Sequence, residues 1–392
     1  MNRDFLKIKY STAQCLMLLF PFLEPDTFRL STSFHMFLRA WAVLAIAYMF
    51  LYYVKSQIKP CFGILIMIIY SIWLCYVSTL SIGNLQTTIT QIVPILGISI
   101  WADIYSRKNG GISVAIKLIM TYVYINLLTL LLFPNGLYQS QSYQAVPYKC
   151  YFLGYRNVQS LWLLPALALT LWENYTETDE LTHKTKVRLA AILLSIILIK
   201  SSTTYVATAV LLGVLIFLVK GSRKHYLWKF VNLSTVYIGS IAVSAGLVFF
   251  NIQYKFSYII ENILHKDVDL TDRIYVWEKV LVYIRQRIWT GYGYIFDPTS
   301  RALIGASHPH NYALNLLYTG GVVGFVLVSI LWLIVGYRTK RMLNDWAVRA
   351  LFAGALVLLL IGLTEPLKQL PTAYMILFIL YHEDSRLKGG EE

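Results

Sequence analysis

Apolar runs of membrane-spanning length recur from one end of the chain to the other, separated by short polar seams. Two examples are "AWAVLAIAYMFLYYV" at 40–54 and "ALVLLLIGL" at 355–363. A helix crosses the hydrocarbon core with about 20 apolar residues. That rule predicts an all-α integral membrane protein of about 12 transmembrane helices. They fall at 8–23, 32–54, 62–80, 87–101, 113–133, 155–173, 186–200, 203–219, 228–250, 311–336, 346–363 and 367–382. Only "KSSTTY" divides 186–200 from 203–219, and this pair also reads as one broken helix.

The seams alternate in charge. "YYVKSQIKP", "YSRKNGG", "THKTKVR", "VKGSRKHYLWK" and "YRTKRMLNDWAVR" are basic, whereas "SIGNLQTT" and "FPNGLYQSQSYQ" hold almost no positive charge. Lys and Arg mark cytoplasmic loops, so the alternation predicts cytoplasmic N- and C-termini and an even number of spans. The opening "MNRDFLKIKYSTAQCLMLLFPFLEP" has a basic and then apolar character without a small-residue cleavage site, and is expected to be a retained first helix. The organisation is then a single integral membrane domain. Helices 1–9 occupy 1–250, a large extracytoplasmic loop occupies 251–310, and helices 10–12 with a cytoplasmic tail occupy 311–392.

The loop at 251–310 is too apolar to be disordered. "TDRIYVWEKVLVYIRQRIW" places Ile274, Trp277, Leu281, Ile284 and Ile288 at three- and four-residue spacing, the signature of an amphipathic helix. Thr271 or Asp269 is the expected cap, and Lys279, Arg285 and Arg287 lie away from much of the stripe. The helix is expected to lie flat over the outer mouth of the bundle, half in the interface.

Composition sharpens this picture. Of 392 residues, 57% are hydrophobic and 14% charged, against about 25% charged in soluble domains. The 29 tyrosines suit membrane–water interfaces. A net charge of +14 would invite a nucleic-acid reading, but the charges sit in short loops and no soluble basic face exists. Nucleic acid is therefore excluded as a partner. Cys15, Cys61, Cys75 and Cys150 show no paired spacing, so neither a disulfide framework nor a metal site is expected.

The stretch "SHPHNYALNLLYTGGVVGF" at 307–325 concentrates candidate chemistry. One reading is purely structural: Ser307 or His308 caps a helix, with Pro309 in its first turn. Gly320, Gly321 and Gly324 then form a small-residue packing face. The other reading is chemical, because a neutral imidazole accepts a proton near neutral pH and His308 and His310 stand at the outer mouth. Asn311 is placed to orient a bound hydroxyl or the ring of His310.

The order of motifs resembles the O-antigen ligase and polysaccharide polymerase (Wzy-type) superfamily. A long outer loop leads into "HPHNYALNLLYTGGVVG". Upstream, "TDRIYVWEKVLVYIRQRIWTGYGY" is similar to the family's Arg, Trp and Gly-x-Gly pattern, and "FLGYRNVQSLWLLPALAL" to its segment in which an Arg/Lys–Asn pair opens a span. The resemblance covers most of 150–365. It implies glycan transfer from a polyprenyl diphosphate donor to a sugar hydroxyl, on the outer face, with neither metal nor cofactor.

A departing lipid diphosphate concentrates negative charge, which needs fixed cations, and arginine's planar fork fits phosphate oxygens. The candidates are Arg156, Arg273 and Arg301, each with interfacial snorkelling as its alternative role. Many ligase-type members carry an arginine in the turn before the eighth span, where this chain has "IKSSTTY" with Lys200. That departure favours the polymerase side. Glu365 in "LTEPLKQLP" either orients a histidine or a sugar hydroxyl, or pairs with Lys368 as a loop charge. The run "ENYTETDELTHKTK" reads as a solvated cytoplasmic loop. His310 becomes the expected general base, with His308 and Asn311 positioning it.

The expectation is a polymerase that joins undecaprenyl-diphosphate-linked repeat units in a bacterial cytoplasmic (inner) membrane, for a capsule, exopolysaccharide or O-antigen. Its alternative is an O-antigen ligase that acts on lipid A-core. A flippase or other transporter is the rival from another class, and would place charge near the midplane of its spans. The expected partners are the lipid-linked donor and acceptor, membrane lipids, a chain-length regulator and a flippase.

Overall fold

The computed structural model describes residues 12–108, 110–140, 147–220, 231–258, 261–262, 273–366 and 371–389. Its helices are α1 (Thr12–Leu19), α2 (Thr32–Lys55), α3 (Phe62–Thr79), α4 (Leu85–Tyr105), α5 (Gly111–Leu132), α6 (Arg156–Glu177) and α7 (His183–Ile199). They continue with α8 (Ser202–Lys220), α9 (Leu233–Phe250), α10 (Arg273–Gln286), α11 (Asp297–Ile304), α12 (Tyr312–Thr339), α13 (Trp346–Gly362) and α14 (Pro371–Gly389). Six of these, α2, α3, α4, α5, α9 and α12, are long and apolar enough to cross a membrane. This is the architecture of an all-α membrane protein. The chain is also multi-pass.

Most helices fall where the apolar runs predict, and the departures have local causes. The first helix is cut short at Leu19 and becomes a 3-10 turn at Phe20–Phe22, because Pro21 cannot donate to a helical ladder. The 186–219 run is two helices. Lys200 between them adopts φ 49°, a left-handed C-cap, and Ser201 restarts the chain. An unexpected three-stranded antiparallel sheet follows α5: β1 (Tyr138–Ser140), β2 (Tyr148–Tyr151) and β3 (Gly154–Tyr155), in the order β1-β2-β3.

The main core runs through α13, which packs on α6 and is buried along almost its whole length. Buried charge gathers at one end of the bundle. There the Asp103 carboxylate accepts from Tyr53 (2.6 Å), Arg107 (2.8 Å) and His382 (2.6 Å). Glu173 pairs with Arg188, and Glu383 accepts from Trp172 (2.9 Å) and Arg386 (2.6 Å). Each of these carboxylates is matched by cations or donors, which is how buried charge is kept affordable.

A second, smaller core lies at the opposite end. Val276, Trp277, Val280 and Ile284 of α10 pack with Tyr292, Ile295, Ile304, Leu314 and Tyr318. The buried stripe is therefore rotated from the expected one: Ile288 is 47% exposed. Trp277 sets that rotation, since its indole is buried and donates to the Pro309 carbonyl at 2.9 Å. The two expected caps, Asp269 and Thr271, lie outside the described residues, as does Lys368.

The glycines of α12 divide into two roles. Gly324 lies 3.3 Å from the Tyr70 ring for a notional Cβ, the close packing expected of a small residue. Gly321 is not part of any helical face. It adopts φ 62°, ψ −165°, a region essentially reserved for glycine, and breaks α12 into two helical pieces. Residues 288–293 cross the break and replace the missing ladder bonds: Tyr292 N donates to Tyr318 O (3.0 Å), Gly293 N to Thr319 O (2.7 Å) and Val322 N to Ile288 O (2.8 Å). Irregular backbone at membrane depth is tolerated where other protein satisfies it.

Candidate active site

The turn before α12 is built around Asn311, not Ser307 or His308. Asn311 is the N-cap, its side-chain oxygen accepting from Leu314 N at 3.0 Å, and Pro309 stands outside the helix. Its amide nitrogen donates to Leu363 O at 3.1 Å and to Ser244 Oγ at 2.6 Å. The side chain is fully buried and all its polar atoms are engaged, so it fixes the turn instead of meeting a substrate. It thereby ties α12 to α9 and to the segment carrying Glu365.

Immediately before this cap, His310 adopts φ 51°, left-handed backbone that few non-glycine residues occupy. The turn presents its ring to Glu365, with Nδ1 3.5 Å from Oε2. Nδ1 is buried and makes no hydrogen bond, so this carboxylate is its counterpart at a separation a little too long for one. The His308 ring lies 4.1 Å from that of His310, centroid to centroid. His308 Nδ1 accepts the His310 backbone N–H at 3.3 Å, which places the proton of a neutral ring on Nε2.

Glu365 is the hub. Only 9% exposed, it accepts from Arg273 Nη2 at 2.9 Å through Oε1. Burial pushes its carboxyl up, but His310, Arg273 and a hydrogen bond from Asn157 together hold it below the ordinary carboxylate value. The fold therefore favours the ionised form. Its stabilising contribution is complete above the usual carboxylate range and is lost as pH falls through the lowered value.

The site brings together His308, His310, Glu365 and Arg273 from three separated stretches of sequence. Arg156, the first residue of α6, is exposed and has no partner among the described residues, while the adjacent Asn157 reaches Glu365. Lys200 is exposed at the α7 cap, next to Ser201, whose hydroxyl donates to Asn157 Oδ1 at 3.3 Å. Both cations thus flank residues tied to the hub. Arg301 is differently placed: it pairs with Asp297 on its own helix at 2.6 Å. Asn157 and Trp277 carry parts of the site that residue-type reasoning did not assign. Both stand inside the quoted motifs, which was the available signal.

Among the described residues, two clusters have the donor atoms for a metal. One ligand atom each from His308, His310 and Glu365 lies within 4.8 Å of the others, and the same holds for Cys61, Asp103 and His382. A cation at the first would compete with Arg273 for Glu365 and with the His310 amide for His308. At the second, Arg107, Tyr53 and His382 already occupy the Asp103 oxygens.

The arrangement is a carboxylate beside an imidazole, with a guanidinium on the same carboxylate and unengaged cations nearby. It can take a proton and stabilise a departing anion. No curated protein and no solved structure matches the chain. A family model described as O-antigen ligase matches residues 188–329, a segment that contains Arg273, Arg301 and the whole His308–Asn311 turn. The match covers about a third of the chain and is consistent with an O-antigen ligase/polymerase superfamily.

Proposed function

We propose that the protein is a metal-independent polysaccharide polymerase, with donor and acceptor both linked to undecaprenyl diphosphate. The observation that carries this reading is the His310–Glu365–Arg273 constellation in the turn after the long loop. Ionised Glu365 orients the imidazole with Nδ1–H toward it, leaving Nε2 to accept, the logic of a carboxylate–histidine pair. Catalytic hydrogen bonds are often long before substrate binds, which suits the 3.5 Å separation. The acceptor hydroxyl oxygen attacks the anomeric carbon as its proton passes to Nε2. The bond from that carbon to the phosphate oxygen breaks, and the lipid diphosphate leaves with the electron pair. Arg273, Arg156 and Lys200 offer the compensating positive charge, with Arg301 farther out.

The name of the matched family favours a second reading, ligation to lipid A-core. Lys200, where many ligase-type members have arginine, favours the polymerase. Membranes supplied with the lipid-linked repeat unit separate the two readings. A polymerase yields a chain-length ladder from that donor alone, whereas a ligase yields product only when lipid A-core is added.

Two expected outcomes bear on the placement of the site. First, Arg273→Lys keeps the charge but loses the fork, so ladder formation falls while expression holds, and Arg273→Ala falls further. If both variants polymerise normally, Arg273 is an interfacial anchor. Second, the loop faces outside. In a background without the native cysteines, Thr299→Cys should be labelled by an impermeant maleimide in intact cells or spheroplasts. Labelling only after the membrane is opened would invert the topology and remove the site from the outer face.

A further inference from the structure

The small sheet after α5 carries a feature that the transfer chemistry does not use. Tyr155 on β3 pairs with Cys150 on β2, and Tyr148 lies two residues from Cys150 on the same face. This makes Tyr148 and Tyr155 diagonal neighbours. Their rings stack at 5.5 Å with 23° between planes, and Tyr148 remains 39% exposed. Tyr155 immediately precedes Arg156 and Asn157, and the charges of Glu365 and Arg273 both act on its hydroxyl. The ring pair therefore begins at the edge of the active site and leads outward.

The sheet is also firmly seated. Phe152 N donates to Thr129 Oγ1 (3.3 Å), Leu153 N to Asn126 Oδ1 (3.0 Å), and Thr27 Oγ1 to Phe152 O (3.0 Å). Lys149 Nζ donates to Pro134 O and Asn135 Oδ1, both at 3.2 Å. A pyranose has a C–H face that is apolar and slightly positive, which complements the negative face of an aromatic ring. Tyrosine supplies such contact area with little conformational entropy to lose.

We infer that the Tyr148–Tyr155 pair is a sugar-binding platform that holds pyranose rings of the substrate glycan beside Glu365 and His310. This rests on the glycan-transfer reading above. Tyr148 is the outer ring of the platform and Tyr155 its base.

The test uses detergent-solubilised full chain and the radiolabelled oligosaccharide released by mild acid from the source cell's own lipid-linked pool. Tyr148→Leu keeps bulk but removes the ring, and Tyr148→Trp restores an aromatic face. Binding should weaken roughly tenfold in the leucine variant, the scale of one aromatic contact, and recover with tryptophan. In membranes the leucine variant should raise KM and leave kcat in place. His310→Ala should bind the oligosaccharide as wild type does while failing to polymerise. Equal binding by wild type and Tyr148→Leu overturns the platform, as does wild-type protein that polymerises without binding the free oligosaccharide. Ring-dependent binding without transfer in any membrane would instead sink the polymerase reading and leave the platform standing.

Discussion

His310→Ala should abolish long polymer while the protein still inserts. Removal of a general base costs about 10²–10⁴-fold in rate, and His310 is the imidazole facing the ionised Glu365. His308→Ala should do less. Its Nδ1 accepts the His310 backbone N–H and its ring lies against that of His310, so it shapes the turn that carries the base. Because His310 has φ 51°, alanine adds backbone strain, and His310→Asn separates the two effects. Asparagine tolerates left-handed backbone but is no base, so it should accumulate normally and remain inactive. The measurement is a chain-length ladder from membranes supplied with the lipid-linked repeat unit, normalised to protein level. A normal ladder from well-expressed His310→Asn would mean that the histidine only completes a turn, with Glu365 next in line as the base.

Gly321→Ala should be strongly destabilising. Its φ 62°, ψ −165° costs a non-glycine residue of order 1–3 kcal/mol. A Cβ there would also overlap the Trp289 carbonyl, which is backbone and cannot rotate away. Relief requires residues 288–293 to lift off α12, unpairing several amides at once. Gly324→Ala is the control, since its notional Cβ meets the Tyr70 ring at 3.3 Å. Steady-state level and melting temperature in detergent should drop sharply for Gly321→Ala and little for Gly324→Ala. Matching behaviour of the two would remove the helix break from the folded protein.

The helices were readable because a long apolar run permits little except a helix. The division of α7 from α8 was readable too, since "KSST" interrupts the run. The break at Gly321 was hidden because apolar residues continue on both sides of it, and nothing local states that a distant segment will supply the hydrogen bonds. The sheet was hidden for another reason: "GLYQSQSYQAVPYKCY" mixes tyrosine with small polar residues and has no clean alternation. Among the site residues, His310, Glu365 and Arg273 were legible by residue type and position near loop ends. Their meeting was not, because it depends on Asn311 binding Leu363 O and Trp277 binding Pro309 O. Asn311 itself was assigned to the right turn but given a more exposed role than a fully buried cap can fill.

The crossing of residues 288–293 over the Gly321 break makes amide protection a shared property of two segments. The Tyr292 and Gly293 amides depend on carbonyls of α12, and the Val322 and Val323 amides depend on carbonyls of Ile288 and Trp289. Separation of the two segments breaks all four of these bonds together. Hydrogen exchange here therefore follows a single opening event with a single free energy, although the participating residues belong to the end of the long loop and the middle of α12.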